Sequence, residues 1–240
     1  MSGGAGRLAS AANLLGRGRT ADVYDLGDGL VLRRYRDGYD AEREAEIQAH
    51  VAEHGFPAPA VVEAHGPDLV MARVAGPTML GALVAGDARP DEAAHLLADL
   101  HDRLHALPAP AGPREPGDVV VHLDLHPDNV MLDPERGPVL IDWANARLGT
   151  ADLDVAMTAL ILAEVAVAPP DSELAAQAGP ALAAVPALGA AFLAAVDGDA
   201  RLGLAGALAM RAANPTLDAA EKERLSTAVR AVREWADAAG

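Results

Sequence analysis

From residue 14 to residue 74 apolar and polar positions alternate over short runs, the period of half-buried strands, with one helical stretch set among them. Asp22 to Leu26 and Leu30 to Arg36 read as two strands joined by Gly27-Asp28-Gly29, a hairpin signal. Ahead of them, Gly16-Arg17-Gly18-Arg19-Thr20 reads as a glycine turn between strands. From Asp40 the chain spaces Ala45, Ile47, Ala49 and Val51 among charges and stops at Gly55, which predicts a helix after three strands. Ala60 to Glu63 and Leu69 to Val74 add two strand-like runs, and Gly76-Pro77 then punctuates a change from strand-rich to helix-rich sequence.

Beyond that point Ala93, Ala94, Leu97, Leu100, Leu104 and Leu107 recur near helical spacing, predicting a helix from Asp91 to Leu107 that ends at Pro108. Val119 to Val121 reads as a strand, His122 to Asn129 as a polar loop, and Val130 to Leu132 with Val139 to Ile141 as a hairpin closed by residues 133–138. After Asp152 the chain reads as alanine-rich helix punctuated by Pro169-Pro170, Pro180, Pro186 and Gly198. The pattern predicts an α+β fold in two lobes: residues 1–76, small and β-rich with one helix, and residues 77–240, larger and helical with an embedded hairpin.

Composition narrows the partners. With 240 residues, the chain is long enough to fold without staples, and its lack of cysteine removes thiolate metal sites and a cysteine nucleophile. A formal charge of −16 repels phosphate backbones, and two Trp, three Tyr and two Phe offer little for base stacking, so nucleic acid is not expected as the main partner. Leu174 to Val196 carries no charge, but Gly179, Pro180, Pro186 and Gly189 interrupt it, which reads as buried helix and not as a membrane span. The first residues show no charged and then apolar leader, so the expected location is cytoplasmic.

The chemistry concentrates in 122-HLDLHPDNV-130. His122, Asp124, Leu125 and Asn129 stand at the H-x-D-L-x-x-x-N spacing of a kinase catalytic loop. A loop of this length can aim Asp124 and Asn129 at one point, Asp124 to accept a proton from an attacking hydroxyl and the Asn129 amide oxygen to ligate Mg²⁺. The following hairpin returns a second carboxylate, Asp142 of Ile141-Asp142-Trp143, and an Asp among apolar strand residues calls for a cation or hydrogen-bond partners. His101 and His105 are four apart, but sequence spacing offers no third metal ligand.

In these residues the sequence resembles the kinase-like small-molecule phosphotransferases, the aminoglycoside phosphotransferase and choline kinase group. HLDLHPDN resembles that group's catalytic loop, with its His126-Pro127, and IDW stands where protein kinases carry D-F-G. The likeness runs from about Leu14 to about Met157. It implies a two-lobed protein kinase-like fold, ATP as donor, Mg²⁺ held by Asn129 and Asp142, Asp124 as the catalytic base, and phosphorylation of a small-molecule hydroxyl. Asp154 looks like the group's Asp that braces the catalytic loop from the following helix; a helix-capping role is the alternative.

Against that likeness, Gly16, Arg17, Gly18, Arg19 and Thr20 form the candidate loop over the phosphates, with Ala21 where the protein-kinase pattern has its third glycine. The third strand should supply a cation, and because Lys222 is the only lysine it must be an arginine; alternation selects Arg33 and sends Arg34 to the other face. Glu44 is the candidate partner of Arg33, with Glu42 and Glu46 as competitors. Met71, Ala72, Arg73 and Val74 resemble the hinge, where backbone groups of Ala72 and Val74 would meet adenine.

Only about ten residues separate Asp142 from the next helix, too few for the peptide-docking segment of a protein kinase, so the expected acceptor is a small hydroxylated molecule, with amino-sugars and amino-alcohols as candidates. Residues 1–76 carry a net −3 and residues 77–240 a net −13, while Gly16 to Arg36 holds five arginines against three aspartates. That asymmetry favours ATP on the basic strip and a cationic or neutral acceptor on the acidic lobe. The alternative function is a nucleotide-binding regulatory protein without turnover, suggested by the absent lysine and the altered glycine loop.

Overall fold

The computed structural model describes residues 13–36, 38–169 and 171–239; the start of the chain, on which the leader expectation rests, lies outside them. Five strands form one antiparallel sheet in the order β1-β2-β3-β5-β4: β1 Leu14–Arg17, β2 Ala21–Gly27, β3 Leu30–Tyr35, β4 Val61–His65 and β5 Asp68–Ala72. The β2–β3 turn runs through three successive residues at positive φ, Gly27, Asp28 and Gly29, which explains the two glycines flanking an Asp. Alternation along β3 turns Val31, Arg33 and Tyr35 toward helix α1 (Glu42–Glu53). Arg34 faces the other way and makes two 2.6 Å bonds to its cross-strand partner Asp68.

The chain leaves the sheet through Arg73–Pro77, where Leu132 N–H donates to Pro77 O at 2.9 Å and a Thr78–Met131 bridge ties it to the next lobe. Helix α2 (Met79–Ala85) follows, capped by Thr78 Oγ1 at 3.0 Å from Gly81 N and ended by Gly86 at φ +80°. The sequence pattern gives no element there, because seven residues are too short to show periodicity. Helix α3 spans Pro90–His105 and starts on its proline, one residue before the predicted Asp91.

β6 (Val119–Val121) pairs with β9 (Arg147–Gly149), a three-residue strand the pattern does not reveal, and β7 (Val130–Asp133) pairs with β8 (Gly137–Leu140) as predicted. The tail divides into α4 (Ala151–Ala166), α5 (Glu173–Ala178), a 3-10 turn (Gly179–Ala184), α6 (Val185–Ala195), α7 (Ala200–Ala213) and α8 (Ala219–Ala239). α4 is apolar nearly all round and lies at the centre, with α3, α6, α7 and α8 packed about it. Small residues bring these helices close: a Cβ on Gly203 would lie 2.1 Å from Asp152 O, and one on Gly189 2.3 Å from the Trp235 ring. The charge-free stretch is thereby cut into α5, turn and α6, and among the described residues no helix is long and apolar enough to cross a membrane. The architecture is α+β, a β-sheet lobe followed by a helical one, as the pattern predicts, and agrees with the kinase-like fold that the resemblance implies.

Candidate active site

The loop after β6 is held from behind by one carboxylate. Asp154, fully buried on the first turn of α4, accepts from Leu123 N at 2.7 Å and His122 N at 3.0 Å, and meets His105 Nε2 at 2.9 Å and His101 Nδ1 at 3.5 Å. Burial opposes its charge, but the two histidines and their hydrogen bonds outweigh it and hold the carboxyl well below the usual range. The third partner that spacing lacks for His101 and His105 is thus supplied by the fold: their ligand atoms and those of Asp154 lie within 4.8 Å of one another. A second tie runs from Thr158, whose hydroxyl donates to Leu125 O at 2.7 Å and therefore accepts from His101 Nε2 at 2.9 Å. Asp124 sits between residues pinned on both sides, and Leu123 beside it is at φ +62°.

His122 links this loop to the Ile141-Asp142-Trp143 segment. Its Nδ1 accepts from Asp124 N at 3.3 Å and its Nε2 donates to Ile141 O at 3.2 Å, which fixes one neutral tautomer. Burial pushes its pKa down, against the pull of Asp154, so the neutral ring is the consistent state. Ile141 N donates in turn to Asn129 O at 2.9 Å, and Asn129 Nδ2 donates to Asp124 O at 2.8 Å and Asp124 Oδ2 at 3.2 Å. His126 Nε2 lies 3.6 Å from Asp124 Oδ1. Asp142 is at φ +65°, a strained position for a non-glycine residue, above the buried Trp143 whose Nε1 donates to Leu140 O.

From the sheet, Arg33 enters the same cluster. Its Nη2 bonds Asp142 Oδ1 at 2.5 Å, and its Nη1 is 3.8 Å from Glu44 Oε1. Glu44 is 1% exposed, also receives the Tyr35 hydroxyl, and has its pKa raised by burial, with Arg33 and Tyr35 opposing. Glu42 and Glu46 are exposed, so helix phase decides between the three. The side-chain oxygens Asn129 Oδ1 and Asp142 Oδ2 have no partner among the described residues, a hard-oxygen donor set that suits Mg²⁺.

The candidate glycine loop divides differently from the sequence expectation. Gly16 and Arg17 belong to β1, leaving Gly18, Arg19 and Thr20 as the turn. Gly18 N donates to Ala21 O at 2.8 Å, so that amide is committed within the turn and does not face a phosphate. Arg36 clamps the turn, donating to Gly18 O and Arg19 O at 2.6 Å while pairing with Asp22. The basic strip is largely neutralised from within: Arg33, Arg34 and Arg36 all hold aspartates, and Arg17 alone of the five has no carboxylate within 4.0 Å among the described residues.

At the hinge, Met71 is buried in the sheet core and Ala72 N donates to Ala60 O at 2.8 Å, which withdraws that amide from any ligand. The Val74 amide has no protein partner among the described residues. Asp133 steadies the segment by accepting from Ala75 N at 3.1 Å and from Arg136, which holds its carboxyl well below the usual range.

Three charged residues linked through Arg211, which feels the charge of Asp124, escape sequence reasoning. Glu164 of α4 and Arg211 of α7 form a two-pronged pair, both bonds 2.7 Å, and Arg211 lies in the field of Asp124 and Glu221. Glu221 belongs to an Asp218–Glu221 capping box at the start of α8, and its other oxygen comes 4.0 Å from Arg19 at the glycine turn. Glu164 has a sequence signal, a lone acid in an apolar run, but its partner arrives from 47 residues away.

The sequence profile of the phosphotransferase enzyme family matches residues 12–118 and 113–188. No curated protein sequence matches the chain. Among solved structures, the ADP-bound aminoglycoside phosphotransferase APH(2'')-Ib superposes with a TM-score of 0.56 at 13% identity, covering 93% of each chain. The gentamicin complex of APH(2'')-IIa gives 0.57 at 13% identity over 95% of this chain and 88% of that one. The amicoumacin kinase hAmiN, bound to AMP-PNP and Ca²⁺, gives 0.51 at 13% identity over 94% and 89%. At these identities the likeness establishes a shared fold.

Proposed function

Because this chain belongs to the phosphotransferase enzyme family, we propose that it transfers the γ-phosphoryl group of ATP to a hydroxyl of a small molecule, with residues 1–76 as the nucleotide lobe and residues 77–240 as the catalytic and acceptor lobe. The observation that carries this reading is that Asn129 bonds Asp124 by its side chain and, by its backbone, Ile141, the residue beside Asp142.

In this reading the Asp124 carboxylate accepts the acceptor hydroxyl's proton as that oxygen bonds to the γ-phosphorus and the bond to the β-phosphate oxygen breaks, releasing ADP. Asn129 Oδ1 and Asp142 would hold Mg²⁺, which would neutralise charge on the phosphates. Arg33 and Arg17 would supply the cations nearest the phosphates, and the Val74 amide, unpartnered among the described residues, would serve adenine. The Asp124, Glu164, Glu221 and Arg211 side chains leave the acceptor side acidic, which supports an amine-bearing or neutral acceptor. ATP as donor favours a cytoplasmic setting.

Phosphomonoester formation from ATP across a panel of hydroxylated amines, followed by mass analysis, tests the reading. A product carrying one added phosphoryl group supports it. The 2.5 Å bond between Arg33 and Asp142 favours one rival, a nucleotide-binding regulator in which the arginine occupies the metal ligand; Mg²⁺-dependent ATP binding with no product from any acceptor would select that rival.

A further inference from the structure

A second cavity wall of the catalytic loop is apolar. Leu83 of α2, Ile161 and Val165 of α4, Leu188 of α6 and Ala181 and Ala184 of the 3-10 turn line a space of about 70 Å³ that also meets the loop at His126 to Asp128. Such a space has almost no polar groups to hold water, so it favours an apolar occupant. His126 is the connection: it lines the cavity, and its Nε2 is 3.6 Å from Asp124 Oδ1. His126 thus neighbours both Asp124, where the hydroxyl would sit, and the cavity.

α4 separates two chemistries within a single turn. Ile161 and Val165, four apart and on one face, line the cavity, while Glu164 turns to Arg211 on the charged side. We infer that the acceptor is amphipathic: a hydroxylated amine bearing a short branched apolar arm, with the hydroxyl at Asp124, the amine toward Glu164 and Glu221, and the arm in this cavity. The inference rests on the phosphotransferase reading and adds the acceptor's class to it. Cavities of about 150 Å³ hold benzene, so the room here suits an arm of roughly three or four carbons.

The test uses the full chain with ATP, Mg²⁺ and a series of 2-amino-1-alcohols: 2-aminoethanol, 2-amino-1-propanol, 2-amino-1-butanol, leucinol and 2-amino-1-decanol. Each methylene buried should raise kcat/KM about fourfold, giving a rise on the order of a hundredfold from 2-aminoethanol to leucinol and a fall at the ten-carbon chain. Ala184→Phe, and the milder Ala181→Leu, fill the cavity and should remove the rise while leaving 2-aminoethanol turnover and the KM for ATP unchanged. A flat chain-length profile overturns the inference. Independently of turnover, isobutanol binding followed by saturation-transfer NMR should be present in the native chain and lost in Ala184→Phe. Absence of native binding overturns the cavity assignment; isobutanol binding with a flat kinetic profile also overturns the inference, because the cavity would then serve something other than the acceptor. If none of the alcohols is phosphorylated although ATP binds, the acceptor inference is overturned, whereas the phosphotransferase reading fails only if the wider panel of hydroxylated amines also gives no product.

Discussion

Asp154 and His122 show how single side chains hold the catalytic loop. Asp154 satisfies two backbone amides and His105 and faces His101 in full burial, so Asp154→Ala strands three partners and should cost about 3–5 kcal/mol of stability, read from denaturant unfolding. The acid side of the stability profile follows from two directions of shift. His122 is held below its ordinary value of about 6.5, so as pH falls through 6.5 the unfolded chain takes a proton that the folded one refuses, and stability drops. Asp154, held well down, adds its loss only below about pH 4. The thermal midpoint should therefore fall between pH 7.5 and 5.5 more steeply in the native chain than in His122→Asn; equal slopes would contradict the neutral, buried His122. Arg33 is the other residue with a sharp expectation. Its guanidinium spans Glu44 and Asp142, a reach fitted to its length, and Arg33→Lys should raise the KM for ATP about tenfold despite keeping the charge. The placements of Asp124, Asn129, Asp142 and Arg33 were legible because loop spacing and strand alternation are local. The Glu164–Arg211 pair was not, because no local pattern links α4 to α7.

At the scale of elements, the segment between the lobes depends on Gly76. It lies at φ +85°, and a Cβ there would be 2.1 Å from Leu132 O, so Gly76→Ala must displace β7 as well as strain its own backbone. The expected loss is about 2–3 kcal/mol with a raised KM for ATP. Gly86→Ala, at φ +80° but in open space, should cost only about 1 kcal/mol and leave kinetics alone. Equal effects of the two on KM would show that the hinge does not govern the nucleotide site. Strands β3 and β5 and helices α1 and α3 were readable because each buries several residues in a recognisable pattern. α2 and β9 were too short to carry one, and α4, apolar on every side, has no stripe from which its phase or ends can be read. Alanine-rich α5 to α7 pack by closeness, as at Gly203 and Gly189, and not by an amphipathic pattern.

For the molecule as a whole, a charge of −16 looks hostile to ATP, and the internal pairing of Arg33, Arg34 and Arg36 makes the arginine strip less basic than its count. The free oxygens of Asn129 and Asp142 imply that nucleotide affinity is shared with a divalent cation. Chelation by EDTA should abolish turnover, and Mg²⁺ or Mn²⁺ should restore it; turnover persisting in excess chelator would contradict that donor set. The central claim is that Asp124 serves phosphoryl transfer to a hydroxyl, and its most direct test measures ADP and phosphomonoester in the same reaction for the native chain and Asp124→Asn. Equal amounts of the two products are predicted for the native chain, with both rates about 10²- to 10⁴-fold lower in Asp124→Asn and ATP affinity unchanged. ADP without phosphomonoester, or undiminished product from Asp124→Asn, would contradict it.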